Sequence, residues 1–477
     1  MKRFKALLLS CLILIPLSAC NTASQVPGSP DTTPALTEDA VPSEPADSAD
    51  KDADNRPDAP ARKHLNVYSA SYDSFRIVEK YKELHPEFPY DLKFNTFATM
   101  DGDFHVALDE CLKANNDLTP DIYFIKSVQV KRYVEGEQSH YALPYKELGI
   151  DVDNLIKEAD IPQYVIDMGT NAEGQIVALG YEGTGGAFIY RRSIAKDVWG
   201  TDDPEIIKDK IGPGWDKFLE AAAQLKARGY GILSSYEDIW PPVIGSAEVP
   251  WVVDGKLTID PKREAFLDLA KQLHDNGYTN NTEPWMGEWV ADMMDAGGKK
   301  IFGYFGPSWF VNYVLNLKGA CGGEKLGEGT YGDWAVCEPP MGFFWGGEWV
   351  FVNKNSPLKE ELGDLIKWIT LDSSETGFQY FLANGLFDDG IRNAVTSGAV
   401  MQKVSGTSDF VGYQDMFQVF GKAAKLANGK NITQYDEFIN AYFREQVREY
   451  AEGRKTRKQA ITDFKQAVMD NLGIDVE

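Results

Sequence analysis

The amino-acid sequence predicts an α/β fold that begins with a parallel sheet. From residue 64 onward, strand-like runs alternate with segments whose apolar residues recur at helical spacing. Strand, helix, strand, helix, strand is the order that gives parallel strands joined by crossover helices. At 477 residues the chain is long enough for two or three ordinary domains, each with a core of its own.

The first set of predicted elements contains three strands and two helices. In order, they are the strand HLNVYSA, the helix SFRIVEKYKELHP ended by Pro86, the strand YDLKFNTF, the helix FHVALDECLKA and the strand PDIYFIKS. Ligands of open parallel sheets bind beyond the carboxyl ends of the strands. We therefore expect Ser69 to Asp73, and the turn after Phe97, to lie near any binding site.

A second α/β set follows and ends in helices. WDKFLEAAAQLKARG and PKREAFLDLAKQLHDNGY are amphipathic helices, while YGILSS and KKIFGYFGPSW are strand-like. SPLKEELGDLIKWI predicts a helix with Ser356 as its cap and Pro357 at its first position. The C-terminal third, from TQYDEFINAYFREQVREYAEGR, is predicted to be helical.

The N-terminus indicates export. A short basic region, MKRFK, precedes an apolar run that is too short to span a bilayer comfortably, which is typical of a secretory signal over residues 1–20. The run ends in Leu17-Ser18-Ala19-Cys20, the pattern of a bacterial lipobox, which predicts lipidation at Cys20 and an anchor on the outer face of the cell membrane. The alternative is an ordinary signal peptide that contains a cysteine.

Residues 21–61 are predicted to be a disordered acidic tether. The segment is rich in Pro, Ala, Ser and Asp and has no periodic apolar face, so it cannot bury enough surface to order itself. Three cysteines remain beyond it. Cys321 and Cys337 flank a glycine-rich loop, which predicts a disulfide in an oxidising compartment, and Cys111 is interpreted as a small buried residue.

Charge and motifs exclude several functions. A formal charge of −24 and a pI near 4.7 argue against nucleic-acid binding. The five histidines show no metal-ligand spacing, no nucleophile elbow is present, and no cofactor motif is found. A glycosidase carboxylate pair remains open, because so acidic a chain contains many such pairs.

The most informative residues are tryptophans at the ends of predicted elements. EPWMGEW contains Trp285 and Trp289, FGPSWF contains Trp309, FFWGGEW contains Trp345 and Trp349, and DIWPP contains Trp240. Rings in turns are more often partly exposed than rings inside elements, so we expect at least two to line a ligand cleft, where they suit the CH-rich faces of sugars. The period of two in FWGGEWVFV predicts that Trp349 and Phe351 pack inward, whereas Trp345, which stands just before the glycines, is the better candidate for the exposed ring.

The chain from about residue 62 resembles the extracellular solute-binding proteins of carbohydrate-type ABC importers, the maltose-binding-like family 1. The resemblance rests on the lipobox and tether and on GAFIYRRSIAKDVWG, NGYTNNTEPWMGEW, YFGPSWFVNY and GDWAVCEPPMGFFWGGEWVFVNKNSPLKEELGDLIKWI. It implies a type II periplasmic-binding-protein-like fold with two α/β lobes, a hinge and a central cleft, in a monomer that delivers a carbohydrate to a permease.

The resemblance also implies lobe boundaries and site residues. Lobe one would comprise 62–181 plus 302–352, and lobe two 186–300 plus 356–477, with crossings at 181–186, 301–305 and 353–356. The ligand-binding residues implied are Trp309, Trp345, Trp285, Trp240, Tyr72, Ser69 and Glu348. An anchored carbohydrate-active hydrolase and a binder of peptides or other non-sugar solutes on the same fold remain alternatives.

Overall fold

The computed structural model describes residues 63–95, 103–114 and 116–476. The predicted signal sequence, the lipidation site at Cys20, the acidic tether and the turn after Phe97 lie outside these residues.

The strands of the described residues form two main sheets and two short hairpins. The strands are β1 His64–Tyr68, β2 Asp91–Asn95, β3 Ile122–Lys126, β4 Ala178–Gly180, β5 Ala187–Arg191, β6 Val252–Val253, β7 Lys256–Leu257, β8 Gly303–Gly306, β9 Trp334–Cys337, β10 Glu348–Val352, β11 Thr407–Ser408 and β12 Gln414–Asp415. The first sheet has the order β2-β1-β3-β10-β4, and the second has the order β8-β5-β9.

The predicted parallel arrangement is confirmed in the first sheet. Strand β1 pairs in parallel with both β2 and β3, with Leu65 opposite Leu92 and Val67 opposite Ile122. Strand β10 enters antiparallel between β3 and β4, with Trp349 opposite Ile125. In the second sheet, β5 pairs antiparallel with both neighbours.

Helices connect and cover these sheets. In the first half of the chain they are α1 Tyr72–Leu84, α2 Asp103–Ala114, α3 Val130–Val134, α4 Val152–Ala159, α5 Gln163–Gly169, α6 Arg192–Trp199, α7 Pro204–Ile211, α8 Trp215–Ala227 and α9 Trp240–Gly245. In the second half they are α10 Pro261–Asp275, α11 Gly287–Met293, α12 Ser308–Phe310, α13 Lys318–Cys321, α14 Gly363–Thr370, α15 Phe378–Ala383, α16 Gly398–Lys403, α17 Phe417–Ala424, α18 Asp436–Ala451 and α19 Arg457–Leu472. None of the helices in this described part has the length and apolar content that crossing a membrane requires.

Local sequence explains where the well-predicted helices begin. Helix α1 starts after Ser71, whose hydroxyl accepts a hydrogen bond from the Asp73 N–H at 3.3 Å. Helix α10 starts after Asp260, whose carboxylate accepts from the Lys262 N–H at 2.8 Å, with Pro261 at the first helical position. The caps satisfy backbone donors that have no partner within the helix.

Two predicted elements differ from the structure. YGILSS forms isolated bridges at Gly231 and Leu233 instead of a strand. The helix expected from Ser356 starts only at Gly363, so that prediction is wrong over its first residues. The Ser356 hydroxyl does accept a hydrogen bond from the Leu358 N–H at 3.1 Å, but it caps a turn that leads into a short 3₁₀ segment.

The predicted lobe boundaries are wrong at two points. Residues 303–306 and 334–337 were assigned to lobe one, but as β8 and β9 they pair with β5, which was assigned to lobe two. Residues 363–370 were assigned to lobe two, but Trp368 of α14 packs on Tyr81 of α1 with ring centroids 5.3 Å apart. Register and side-chain packing, which the motif order does not specify, decide both assignments.

Two segments connect the main sheets. Residues 181–186 run from β4 in the first sheet to β5 in the second. Residues 338–347 run from β9 in the second sheet back to β10 in the first. This second connection, rather than 301–305 or 353–356, contains the aromatic and glycine-rich MGFFWGG sequence.

Candidate ligand-binding site

A cavity of about 310 Å³ lies where both sheets and the C-terminal helices approach one another. From the first sheet, Ser127 and Val128 contribute directly beyond the carboxyl end of β3. From the second sheet, Tyr304 and Phe305 of β8 contribute, and α18 contributes Asp436, Glu437, Asn440, Ala441 and Arg444. The position beyond the end of a parallel strand is where the fold class predicts a ligand.

The cavity wall is strongly aromatic. Its aromatic members are Trp240, Trp285, Trp289, Tyr304, Phe305, Phe310, Phe344 and Trp345. The rings of Trp285 and Trp345 have centroids 5.8 Å apart at an interplanar angle of 64°, and Trp285 lies 5.2 Å from Trp289. The first pair meets edge to face and the second is tilted, and these contacts leave 48% of the Trp285 surface exposed.

Trp285 has an unusual backbone conformation. Its φ is +72°, a left-handed value that is rare for a bulky residue and costs on the order of 1–3 kcal/mol. Such a conformation persists only where surrounding contacts stabilise it, and it is found most often at binding sites. The sequence gives no sign of this conformation.

Gly346 and Gly347 follow Trp345 in left-handed conformations, with φ of +81° and +90°. A Cβ at Gly346 would lie 3.2 Å from Trp309 Nε1, and one at Gly347 would lie 3.0 Å from Thr184 Cγ2. The glycines therefore permit close approach of other parts of the protein to this backbone, as their sequence position predicts.

Trp309 lies outside the cavity wall. Its Nε1 donates a hydrogen bond to the Trp345 carbonyl at 3.0 Å, and the two rings meet edge to face with centroids 5.1 Å apart. Trp309 thus packs against Trp345, whereas the resemblance implied that it stacks directly on ligand. Trp349 is buried, as its place in the extended segment predicts, and Trp345 is partly exposed, as its place just before the glycines predicts.

Trp240 does line the cavity, but most of its surface is used in packing. Only 8% of the residue is exposed, and its ring lies 5.2 Å from Phe266. Of the predicted ligand residues, the structure therefore brings together Trp240, Trp285 and Trp345.

Ser69, Tyr72 and Glu348 lie elsewhere, at the start of α1. The Ser74 hydroxyl donates to Glu348 Oε2 at 2.5 Å and accepts from Ser69 Oγ at 2.9 Å, while the Tyr181 hydroxyl donates to the same Oε2 at 3.2 Å. Burial raises the pKa of Glu348. Tyr72 is 69% exposed and does not line the cavity.

The polar part of the wall comes from residues that the sequence did not single out. The lining includes Glu237, Asp238, Asn428, Asn431, Asp436, Glu437, Asn440 and Arg444. A weak sequence signal exists in α18, where DEFINAYFR places acids, amide and arginine at helical spacing, but any solvated helix face has the same pattern. Trp289 belonged to the predicted aromatic group without being assigned to ligand.

Asp238 is held by two donors. Its Oδ2 accepts from the Ser235 N–H at 2.8 Å, and its Oδ1 accepts from Trp289 Nε1 at 3.0 Å. Burial raises the pKa of Asp238 to about 7, and the charges of Glu237 and Asp292 act in the same direction. A carboxyl group in this state accepts or donates hydrogen bonds near neutral pH.

Glu237 is the centre of an ion-pair network at the cavity edge. Arg444 lies 2.6 Å from one carboxylate oxygen and Arg448 lies 2.8 Å from the other. On the same side, Asp436 Oδ1 accepts from the Thr433 N–H and hydroxyl, while Asp436 Oδ2 has no hydrogen-bond partner. Burial raises the pKa of Asp436.

The predicted disulfide is not present. Cys321 and Cys337 are both buried free thiols. The Cys321 thiol donates to the Gly323 carbonyl at 3.1 Å, whereas Cys337 pairs through its backbone with Phe188 in the second sheet. The glycine-rich loop is instead closed by backbone hydrogen bonds such as that from the Thr330 N–H to the Cys321 carbonyl at 2.7 Å. Cys111 is only partly buried.

Comparison with known protein families decides the class of the molecule. A family model described as bacterial extracellular solute-binding protein matches residues 78–386, well over half of the chain. The chain belongs to the bacterial extracellular solute-binding protein family. The resemblance seen in the sequence is thereby confirmed at the level of the family. A search of curated proteins gave no match to this solute-binding protein.

Solved structures share the fold of this solute-binding protein at low sequence identity. An extracellular solute-binding protein of family 1 has a TM-score of 0.68 and 17% identity over 85% of this chain and 99% of its own. The galacto-N-biose-/lacto-N-biose I-binding protein of the Bifidobacterium longum ABC transporter has a TM-score of 0.64 and 16% identity, over 88% and 100%. The GacH receptor of Streptomyces glaucescens has a TM-score of 0.59 and 15% identity, over 86% and 98%.

Proposed function

We propose that this protein is the substrate-binding component of an ABC import system. It captures a carbohydrate, of the oligosaccharide class, in the aromatic cavity. The observation that carries the proposal is that Trp240, Trp285 and Trp345 meet at one cavity whose remaining wall offers carboxyl, amide and guanidinium groups. Flat rings suit the CH-rich faces of sugars, and the polar groups suit their hydroxyls.

The energy available is sufficient for capture. Burying one face of an indole, roughly 100 Å², contributes about 2 to 3 kcal/mol. Two such faces together with a few hydrogen bonds support an affinity in the region of about 1 μM. The Bifidobacterium longum protein named above was solved with lacto-N-biose, and the GacH receptor with acarbose.

The captured ligand is then delivered at the membrane. A lipid chain on Cys20 anchors the monomer to the outer face of the cell membrane, and residues 21–61 tether it there. Ligand contacts from both sheet regions favour a closed form, which is then presented to a membrane permease. Residues 181–186 and 338–347, which connect the two main sheets, are the places where such closure would bend the chain.

Thermal unfolding in the presence of a panel of mono- and oligosaccharides tests this function. A sugar present at about one hundred times its Kd stabilises the protein by about 2.7 kcal/mol and raises the unfolding midpoint. Peptides serve as the non-sugar arm of the panel. Stabilisation by peptides alone, or release of reducing sugar from an oligosaccharide during the incubation, would contradict carbohydrate capture for import.

A further inference from the structure

The cavity wall has more acids than bases. Its ionisable acids are Glu237, Asp238, Asp436 and Glu437, whereas Arg444 supplies the positive charge among the described lining residues. The chain as a whole carries a formal charge of −24. Such a field raises the local concentration of cations and disfavours anionic ligands.

Positively charged side chains neutralise only some of the acidic residues of this wall. Arg444 and Arg448 both pair with Glu237, and the charge of Arg263 favours ionisation of Asp436. Asp436 is nevertheless 3% exposed with Oδ2 unpartnered, so the wall retains an unsatisfied acceptor. Leaving a buried carboxylate oxygen without a donor is unfavourable unless something else compensates it.

Asp238 has no positive partner at all within the described part of the chain. Its two hydrogen bonds come from a neutral backbone N–H and a neutral indole, and no Lys or Arg nitrogen of the described residues forms an ion pair with it. Burial and neighbouring acids already oppose its ionisation. A positively charged ligand group beside it would relieve this opposition.

The aromatic rings around this carboxyl group also favour a cation. Trp289 is bonded to Asp238 and packs on Trp285 at 5.2 Å and on Tyr304 at 5.5 Å. Trp345 lies 5.8 Å from Trp285 on the other side. The faces of such rings attract ammonium groups, most strongly where the site excludes water.

We propose that the ligand of this cavity carries a protonated amine, which binds between the Asp238 carboxylate and the surrounding indole rings. Under the carbohydrate function proposed above, on which this inference rests, the ligand is an amino sugar with a free ammonium group. Glu437, on the same wall, contributes a second negative charge, and Arg444 stays neutralised by Glu237.

Matched pairs of ligands test the inference by isothermal titration calorimetry at neutral pH. Glucosamine, galactosamine and the β-1,4-linked glucosamine disaccharide are compared with glucose, galactose and cellobiose, and with the N-acetylated forms that lack the charge. Spermidine supplies ammonium groups without a sugar ring. We expect at least one amino sugar to bind about tenfold or more tightly than its neutral and N-acetylated counterparts.

The outcomes separate the two proposals. Equal binding of amino and neutral sugars overturns the ammonium inference and leaves carbohydrate capture standing. Tight binding of spermidine with no binding of any sugar supports the ammonium site and overturns carbohydrate capture. An absence of binding by every amine tested overturns the inference.

Two variants locate the ammonium group. Asp238→Asn should reduce amino-sugar affinity about tenfold while changing neutral-sugar affinity less than about twofold. Because this substitution also removes the acceptor of the Ser235 N–H, Glu437→Gln provides a second variant that should weaken amine binding without that loss. Glu445→Gln, on the exposed side of the same helix, is the control and should change neither affinity. A uniform loss for charged and neutral sugars in both variants would contradict the assignment.

Discussion

The indole Nε1 of Trp289 donates a hydrogen bond to Oδ1 of Asp238 at 3.0 Å, so a ring and a carboxyl group of the same cavity are fixed by each other. The ring sets where the carboxyl group points, and the carboxyl group sets the plane of the ring. Binding of a ligand to either one therefore depends on the other.

Stability should depend on pH through Asp238. Its folded pKa of about 7 lies above the ordinary value of 3.8, so between these values the folded state keeps a proton that the unfolded state has lost. Unfolding then releases a proton, and rising pH destabilises the wild type. Relative to wild type, Asp238→Asn should gain about 2 kcal/mol between about pH 5 and pH 7, measured by urea unfolding.

A pH-independent loss accompanies this substitution, because asparagine keeps an acceptor for Trp289 but not a second one for Ser235. The quantity to compare is therefore how the difference in unfolding free energy between the two proteins changes with pH, because its value at a single pH includes this constant loss. A difference between the two proteins that is constant over this range would show that Asp238 is ionised in the folded state throughout.

Removing the exposed rings should weaken binding without unfolding the protein. Trp345→Ala and Trp285→Ala each remove a face of the cavity, and we expect sugar affinity to fall about tenfold or more in each. Calorimetry on a sugar found in the thermal panel measures this. Trp199→Ala, a partly buried ring outside the cavity, is the matched control and should leave affinity unchanged.

Trp309 should act through Trp345. Trp309→Phe keeps an aromatic ring but removes the donor to the Trp345 carbonyl, so we expect a loss of affinity smaller than that of Trp345→Ala. In Trp345→Ala, the further substitution Trp309→Ala should cost little additional affinity, since the ring that Trp309 supports is absent. Additive losses in the double variant would instead indicate that Trp309 contacts ligand itself.

Gly346→Ala should destabilise the protein more than the same change at another left-handed glycine. At Gly346 the new Cβ meets Trp309 Nε1 at 3.2 Å, whereas at Gly255, with φ of +78°, a Cβ meets nothing within 4 Å. Gly255→Ala therefore reports the backbone strain alone, about 1 kcal/mol. Equal losses in chemical unfolding would show that the Trp309 contact adjusts freely.

The two buried cysteines should behave as free thiols. In the folded protein neither Cys321 nor Cys337 should react with an alkylating reagent, because both are buried and burial raises the pKa of both thiols. Both should react after unfolding in the absence of reductant, as counted by mass spectrometry. Protection of the pair from alkylation in denaturant until a reductant is added would indicate that they are linked.

Sequence patterns predicted the parallel strands of the first sheet well, because short segments of the sequence are enough to identify each strand and each connecting helix. Strand-like runs such as HLNVYSA and PDIYFIKS alternate with helical segments, and this local order predicts parallel strands joined by crossover helices. Trp349 is buried as predicted, but so is every other residue of β10, which lies between β3 and β4. The lobe boundaries depend instead on which distant strands pair, and nothing local in KKIFGYFGPSW indicates that β8 joins β5.

The candidate site was predicted only in part, because some of its residues carry a local sequence signal and others are brought together by long-range packing. Trp285 and Trp345 are recognisable because rings beside glycines and prolines at element ends are unusual. Asp238 is not recognisable, because its role comes from burial and from Trp289, which is 51 residues away in the chain. The family resemblance implied that Glu348 contacts ligand, whereas in the fold its carboxylate accepts a hydrogen bond from the Ser74 hydroxyl.

Residues 338–347 both connect the two main sheets and carry Trp345 into the cavity. Any hinge motion that changes the relative orientation of the sheets must therefore change the surroundings of that indole. Ring contacts at 5.1 Å to Trp309 and 5.8 Å to Trp285 make its excited state sensitive to small displacements. The emission of this indole, added to that of the other tryptophans, therefore gives ligand binding and chain movement an intrinsic optical signal.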